Sequence, residues 1–442
     1  MQNILQKIVS AGGTPYFVGG CVRDELLNIK SKDIDIEVYG LSADKLIEVL
    51  KPFGKVDCVG VSFGVIKLTT AEDDFDFTLP RRDSKVYEGH KGFTVEVDHT
   101  MSPEEAASRR DFTINSISKS LDGQLVDPYG GVKDLQDRVL RATSEHFKDD
   151  PLRTLRGFQF AARFELVAEL QTLTMCRDLL AESHTISVER IYGEVVKWAL
   201  KSTVPSAGLF FLKRAGWLVM FPELNNLDEL PQDPQWHPEG NAFIHTALVC
   251  DAARNIAVRD KLCDEDRLVL MLAALCHDLG KATTTVMRDG RWRSPGHAKE
   301  GEDLTRSLLN RMGFGESIIK QVIPLVVEHM SYIGIEPNER FVRRLSVRVE
   351  PCSIVQLCRV MEADHSGRPP LPMGMPINAR KILMISEKLK VQSGKPEPIV
   401  KGRHLIDKGM EPGPHFKDIL DQCYQAQLDG QIETLEQGLA LV

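Results

Sequence analysis

The stretch Asp33-Ile-Asp-Ile-Glu-Val38 constrains this chain more than any other, because carboxylates and aliphatic residues alternate through it without a break. A period of two marks a strand with one face in a core. Ile34 and Ile36 then point inward, while Asp33 and Asp35 share the opposite face. Two like charges on one surface cost free energy and raise a carboxylate pKa unless a cation lies between them, and a divalent metal is the expected one. Glu37 shares that face but lies roughly 13 Å from Asp33 at about 3.3 Å per residue, which sets it outside such a site. A third carboxylate, Asp76, lies in the strand-like FDFTLP, where Asp74 shares its face and competes with it. Carboxylates on adjacent strands can hold two magnesium ions for in-line phosphoryl transfer.

The surrounding sequence reads as α/β. Strand and helix patterns alternate through PYFVGG, VRDELL, DIDIEVYG, SADKLIEVLKPF, GVIKLTT and FDFTLP, which predicts a mixed sheet over the first ~140 residues. Residues 81 to 101 are polar and glycine-bearing and read as a long functional loop. From Asp150 to about Phe221 the periodicity is helical, with an aromatic stripe through Phe158, Phe160 and Phe164. The four-proline strip PELNNLDELPQDPQWHPEGN reads as a linker, and SGKPEPIVKGRHLIDKGMEPGPHF as a connector to a short terminal helix. At 442 residues, two to four domains are expected. No apolar run approaches the ~18 residues of a membrane span. The N-terminus carries no secretory pattern, and nine cysteines without a C-x-x-C pair fit a reducing cytoplasm. A net charge of −8 disfavours blanket nucleic-acid affinity but allows a local basic groove.

Gly19-Gly20 lies between a strand and a helix start, where backbone N–H groups can face a phosphate, and Arg23 follows one turn later. Asp150 and Arg153, three apart and read as one helix face, offer an acceptor and a donor. Cytosine and adenine both present an amine beside an acceptor nitrogen, whereas uracil and guanine present the opposite pattern. Such a pair would admit C and A and reject U and G, although D-x-x-R at a helix start reads equally as an ordinary cap and ion pair.

The set GGCVRDELL, DIDI, RRDFTIN (109–115), DPYGGVKDL (127–135) and DDPLRTLRGFQFAARF (149–164) resembles the bacterial class II tRNA nucleotidyltransferases, the CCA-adding enzymes, across roughly the first half of the chain. The resemblance implies that Asp33 and Asp35 bind the catalytic Mg2+ ions, that Gly19 and Gly20 sit on the triphosphate, and that Arg109, Arg110 and Asp111 read the ribose. It makes Asp150 and Arg153 an amino-acid template for the incoming base, and Arg23, Asn115 and Arg156 join the nucleotide-binding set. Asp149 stands where glutamate is usual, which leaves the template pair untouched. The presence of the 81–101 loop, shortened in members that stop after CC, favours full CCA addition. Arg163, Arg190, Lys197, Lys201, Lys213 and Arg214 are candidate phosphate contacts for tRNA.

A second constellation occupies the other half. His245, His277, His329 and Asp364 each follow or precede apolar residues at helical spacing, so each lies on an apolar face, with Asp278 adjacent to His277. Polar groups so placed each need a buried partner, and a shared metal satisfies them together. CHDLGK (276–281), with His245, His297, His329 and Asp364, resembles the HD superfamily of metal-dependent phosphohydrolases. Histidine-rich ligation favours a transition metal such as Ni, Mn or Co over magnesium.

The expectation is therefore a multidomain α+β protein: a polymerase-beta-like nucleotidyltransferase head (1–142), a helical neck and body (143–222), an all-α HD domain (223–390) and a helical tail (391–442). The expected function is cytoplasmic, template-independent addition of CCA to tRNA 3′ ends from CTP and ATP, with an accessory HD phosphohydrolase activity. The alternatives are a poly(A) polymerase, an HD phosphohydrolase whose head merely binds RNA, and a non-catalytic RNA-binding module.

Overall fold

The computed structural model describes residues 1–30, 34–57, 64–71, 74–85 and 93–442, with side chains omitted at 82–85 and 93–95. Asp33 lies outside the described residues. Two compact units divide the chain: Met1–Glu194 with Ala207–Trp217, and Val195–Ser206 with Leu218–Val442.

The first unit is built on a mixed sheet of seven strands: β1 (Thr14–Val18), β2 (Asp35–Tyr39), β3 (Lys55–Asp57), β4 (Val65–Thr69) and β5 (Asp74–Thr78), with the two-residue β8 (Ser118–Lys119) and β9 (Leu125–Val126). Its order is β3-β4-β5-β2-β1-β8-β9, and only β2 and β5 among the neighbours run parallel. In β2 the side chains alternate between two faces as read from the sequence, but both are covered, with Glu37 and Tyr39 buried as well. Ile36 and Val38 are buried, with Ile34 packed at the edge, against Ile66, Leu68, Phe75 and Phe77 of the neighbouring strands. Helices Gln2–Ser10 and Ala43–Leu50 close that core through Ile4, Leu5, Ile8, Leu46 and Leu50. Ser42 caps the second of them by accepting from the Lys45 N–H.

Residues 81 to 101 differ from the loop expected there. Arg81–Lys85 (β6) and Phe93–Val97 (β7) form an antiparallel ribbon running from the Arg81–Val97 pair to Lys85–Phe93. RRDSK carries no apolar alternation, so its strand state comes from backbone pairing with the β-prone FTVEV. Residues 86–92, which join the two, are outside the described residues.

The second unit is helical. Ala242–Arg259, Asp264–Cys276, His297–Arg311, Glu316–Glu328 and Ile354–Ser366 surround the histidines, and among the described residues no helix is long and apolar enough to cross a membrane. The strip read as a linker is packed instead. Leu224 and Leu227 are buried, and the carbonyls of Leu227 and Leu230 accept from the N–H groups of Phe243 and Ala242. Its prolines interrupt helix formation without loosening the chain. The tail also exceeds expectation, with helices Gly402–Asp407, His415–Leu428 and Leu435–Ala440 around a small core of Val400, Leu405, Cys423 and Ile432.

Candidate active sites in the two units

In the first unit, strand register makes the carboxylate pair. Asp35 of β2 stands directly opposite Asp76 of β5 across the parallel pairing. Asp74 is one step removed on β5, opposite Thr69, and its carboxylate pairs with Lys67 at 3.1 Å. The competing carboxylate is thus engaged elsewhere, and Asp76 is the one brought beside Asp35.

One step along the same two strands lies a cavity of about 260 Å³, lined by Glu37, Thr78, Arg81, Arg109, Arg110 and Arg153 among others. Glu37, excluded on distance, has a role here. Its Oε2 accepts from the Tyr39 hydroxyl at 2.6 Å and from Arg110 Nη2 at 3.2 Å, which fixes that guanidinium at the cavity wall. Arg110 Nη1 also donates to the Asn115 carbonyl at 3.3 Å. Gly19, at φ +69°, makes this possible: a Cβ there would lie 2.7 Å from Arg110 Nη1. Gly20 begins the helix Gly20–Leu26. Arg109 donates to the Arg81 carbonyl at 2.8 Å, and Arg153 donates to the carbonyls of His146 at 2.6 Å and Arg109 at 2.8 Å.

Four of the expected nucleotide-binding residues form an internal network. Arg23 is buried, donates to Asp24 and Asn115, and lies over the Phe164 ring at 4.5 Å. Asn115 donates to Asp111, whose other oxygen accepts from Arg156 at 2.6 Å. Burial alone would raise the Asp111 carboxyl, but Arg156, Asn115 and Arg153 bring it down to about 2. This network ties the helix Leu152–Phe164 to the head.

Asp150 does not lie on that helix. It precedes Pro151 in an extended conformation (φ −136°, ψ 112°), because the proline ring disfavours the α region for the residue before it. Its carboxylate accepts from the Leu152 N–H at 3.0 Å and from Arg190, with the shorter contact at 2.6 Å. Arg190, read from sequence as a tRNA contact, is therefore the partner of the expected template carboxylate.

In the second unit, all six HD residues meet. His277 and His329 are not mid-helix residues but the caps of Asp264–Cys276 and Glu316–Glu328. Each uses Nδ1 on an end carbonyl left without an intrahelical partner, Ala274 at 2.8 Å and Val326 at 2.6 Å. His297, the first residue of its helix, turns Nδ1 back to the loop carbonyl of Ser294 at 2.8 Å. All three rings thus keep Nε2 for the centre. Gly280 is required in CHDLGK because a Cβ there would fall 2.1 Å from the His297 carbonyl oxygen. That close approach sets His297 Nε2 3.3 Å from Asp278 Oδ1.

The sequence reading expected one shared metal. Besides a set of His237, Glu239 and His245, the ligand atoms of these six residues fall into two sets, His245 with His277 and Asp364, and Asp278 with His297 and His329, each with its atoms within 4.8 Å of one another. Asp278 faces both: Oδ2 lies 3.2 Å from His277 Nε2 and Oδ1 faces His297. Burial pushes Asp278 and Asp364 up, yet the surrounding histidines hold both well below the usual carboxylate range. Burial, then His277 and His297, lower His329 to about 3. Burial lowers His245 too, but Asp364 and Glu239 reverse that and raise it to about 9, so a metal there would displace a proton; imidazoles among ionised carboxylates are a donor set that fits divalent metal. Lys281 Nζ lies 2.7 Å from Asp278 Oδ2 and opens onto a cavity of about 780 Å³ that His297, His237, Trp236, Trp292 and Arg368 also line. His237, Glu239 and Lys281 were not singled out from sequence. The first two lie in the strip read as a linker, where only their spacing to His245 could have signalled them.

Comparison with known proteins agrees with both halves. Residues 15–141 match the family described as Poly A polymerase head domain, and residues 242–382 match the HD domain. A polymerase head joined in one chain to an HD domain defines the class as a nucleotidyltransferase with an accessory HD domain. The chain is 35% identical over 365 residues to the Multifunctional CCA protein of Pasteurella multocida (strain Pm70), covering 80% of this chain and 84% of that protein. It is 36% identical over 370 residues to that of Xylella fastidiosa (strain M23), with the same coverage. By these relations the chain belongs to the bacterial class II CCA-adding enzymes that carry an HD domain. The Bacillus stearothermophilus CCA-adding enzyme in complex with CTP shares the fold at a TM-score of 0.67 and 21% identity, over 99% of this chain and 95% of that one. The Thermotoga maritima CCA-adding enzyme complexed with tRNA does so at 0.63 and 21%, over 99% and 94%.

Proposed function

We propose that this chain completes tRNA 3′ ends in the cytoplasm by adding CCA from CTP and ATP without a nucleic-acid template. The observation that carries the reading is the Asp35–Asp76 register on parallel strands beside the arginine-lined cavity. Asp35 and Asp76, with Asp33 from the sequence, would hold Mg2+, which when bound activates the attacking 3′-hydroxyl and neutralises charge on the leaving pyrophosphate. The chain's own residues supply position. Arg109 and Arg110 are offered to the nucleotide's ribose and phosphates, with Arg110 held by Glu37. Asp150, oriented by Arg190, and Arg153 select the base by its amine-acceptor edge. The domain limits 1–142, 143–222, 223–390 and 391–442 serve as the working division for this function. Incubating a tRNA that lacks its CCA end with CTP and ATP and sequencing the product tests the proposal. A poly(A) polymerase would leave CTP unincorporated.

A second reading applies to the other unit. The paired donor sets sharing Asp278 favour two divalent transition-metal ions, of the Ni, Mn or Co kind, and hydrolysis of a phosphate ester in the adjoining cavity. Release of phosphate by the metal-loaded chain, lost in the His277→Ala, Asp278→Ala double variant, is the expected outcome.

A further inference from the structure

Three of the four clustered histidines are held by backbone carbonyls, and the fourth is not. His245 Nδ1 lies 2.8 Å from Oε1 of Glu239, a carboxylate whose side chain is 1% exposed, in an ion-pair contact rather than an aligned hydrogen bond. The same oxygen accepts from His237 Nδ1 at 2.9 Å, and Oε2 has no hydrogen-bond partner among the described residues. Burying a carboxylate this way is costly unless the structure uses its charge. Nor is the placement accidental. The irregular strip bearing Glu239 is pinned by Arg291 on Asp233 at 2.5 Å and by Lys281 on Gln232 at 2.6 Å, and Gln232 returns to the Gly240 carbonyl at 3.2 Å.

A carboxylate behind an imidazole fixes the ring and raises the donor strength of its other nitrogen more than a carbonyl does. The two halves of the cluster therefore differ. The half with His245, His277 and Asp364 has a carboxylate both in its donor set and behind it. His297 and His329 have carbonyls alone behind them. We propose that Glu239 is a positioning residue that acts through His245, holding Nε2 toward the centre and making this half fill at a lower metal concentration than the His297/His329 half. The proposal rests on the reading that the cluster binds metal.

The test uses the full chain stripped of metal and titrated with Mn2+ by calorimetry and with Co2+ by visible absorption, with circular dichroism as the control for folding. Wild type is expected to fill in two steps. Glu239→Gln, which keeps the shape and removes the charge, should weaken the tighter step about 10–100-fold and leave the weaker one in place. His329→Ala should remove the weaker step and leave the tighter one. Glu239→Asp should restore part of the lost affinity, and it carries the test alone if the glutamine variant does not fold. A folded Glu239→Gln chain that titrates like wild type, with the same Co2+ spectrum, would overturn the proposal. Wild type that takes up no ion would instead overturn the metal reading beneath it.

Discussion

Replacing Asp111 with asparagine separates a residue that reads substrate from one that holds the head together. Asp111 is 5% exposed and accepts from Asn115, Arg156 and the Phe112 N–H, and it is absent from the lining of the arginine cavity. Its carboxyl, held at about 2 against an ordinary 3.8, contributes about 2 kcal/mol at 1.36 kcal/mol per pH unit. The sign follows from the direction. A depressed pKa means the contribution is complete above the unfolded value near 4, about half of it remains at pH 3, and it vanishes as pH falls below 2. Asparagine removes that contribution and leaves Arg156 without its counter-charge. Arg156 is partly exposed, so water screens much of the residual cost, and the total stays near 2–3 kcal/mol. Thermal unfolding of the variant followed by circular dichroism should show the first unit melting roughly 5–10 °C lower at pH 7. Urea midpoints of variant and wild type should draw together progressively as pH falls from 4 toward 2, with about half the gap left at pH 3. An unchanged midpoint with a raised KM for CTP would place Asp111 against the nucleotide and refute the reasoning.

Asp35→Ala or Asp76→Ala should reduce nucleotide addition at least tenfold while tRNA affinity in a filter-binding assay stays near wild type, since the lost group acts on transition-state charge. Arg190→Ala should relax rejection of UTP as Asp150→Ala does, because a carboxylate freed from its clamp no longer holds one orientation; incorporation of each of the four nucleotides is the readout, and an unchanged preference ratio would make the pair a plain helix-start contact. His277→Ala with Asp278→Ala should abolish metal-dependent phosphate release and leave CCA addition largely intact, checked by measuring both activities on a variant shown to be folded.

What the sequence disclosed depended on whether each signal was local. Period-two alternation in 33–38 carried strand state and facing, and Ile36 and Val38 lie in the core as that pattern requires. Register was not legible, because the choice of Asp76 over Asp74 is made by the β2–β5 pairing between residues forty apart. Spacing alone puts Asp150 on a helix face with Arg153, but Pro151 disfavours the α region for the residue before it, and Asp150 is extended. The ribbon at 81–97 was missed because one of its strands has no apolar residue. The HD residues were found as a set because four polar groups on apolar faces demand a common partner. Glu239 escaped because prolines around it suggested a linker, and its burial comes from tertiary contacts that no periodicity records.

The two sites hold carboxylates in opposite ways, and the difference predicts when each would take a metal. Asp76 is exposed and Asp35 half-buried on a sheet surface, with no histidine ligand described beside them. Mg2+ dehydrates reluctantly and is bound by one or two carboxylates only when substrate phosphates complete its shell. The head is therefore expected to take its ions with the incoming nucleotide and lose them with the leaving pyrophosphate. In the HD cluster the ligands are buried, the rings are locked by carbonyls or by Glu239, and the donor count suffices without substrate. Its ions should persist through purification. Metal analysis of the dialysed chain before and after adding CTP with Mg2+ distinguishes the two: transition metal should remain in the ligand-free protein, and magnesium should appear only with nucleotide. Loss of the transition metal on simple dialysis would show that burial and ring locking do not confer retention.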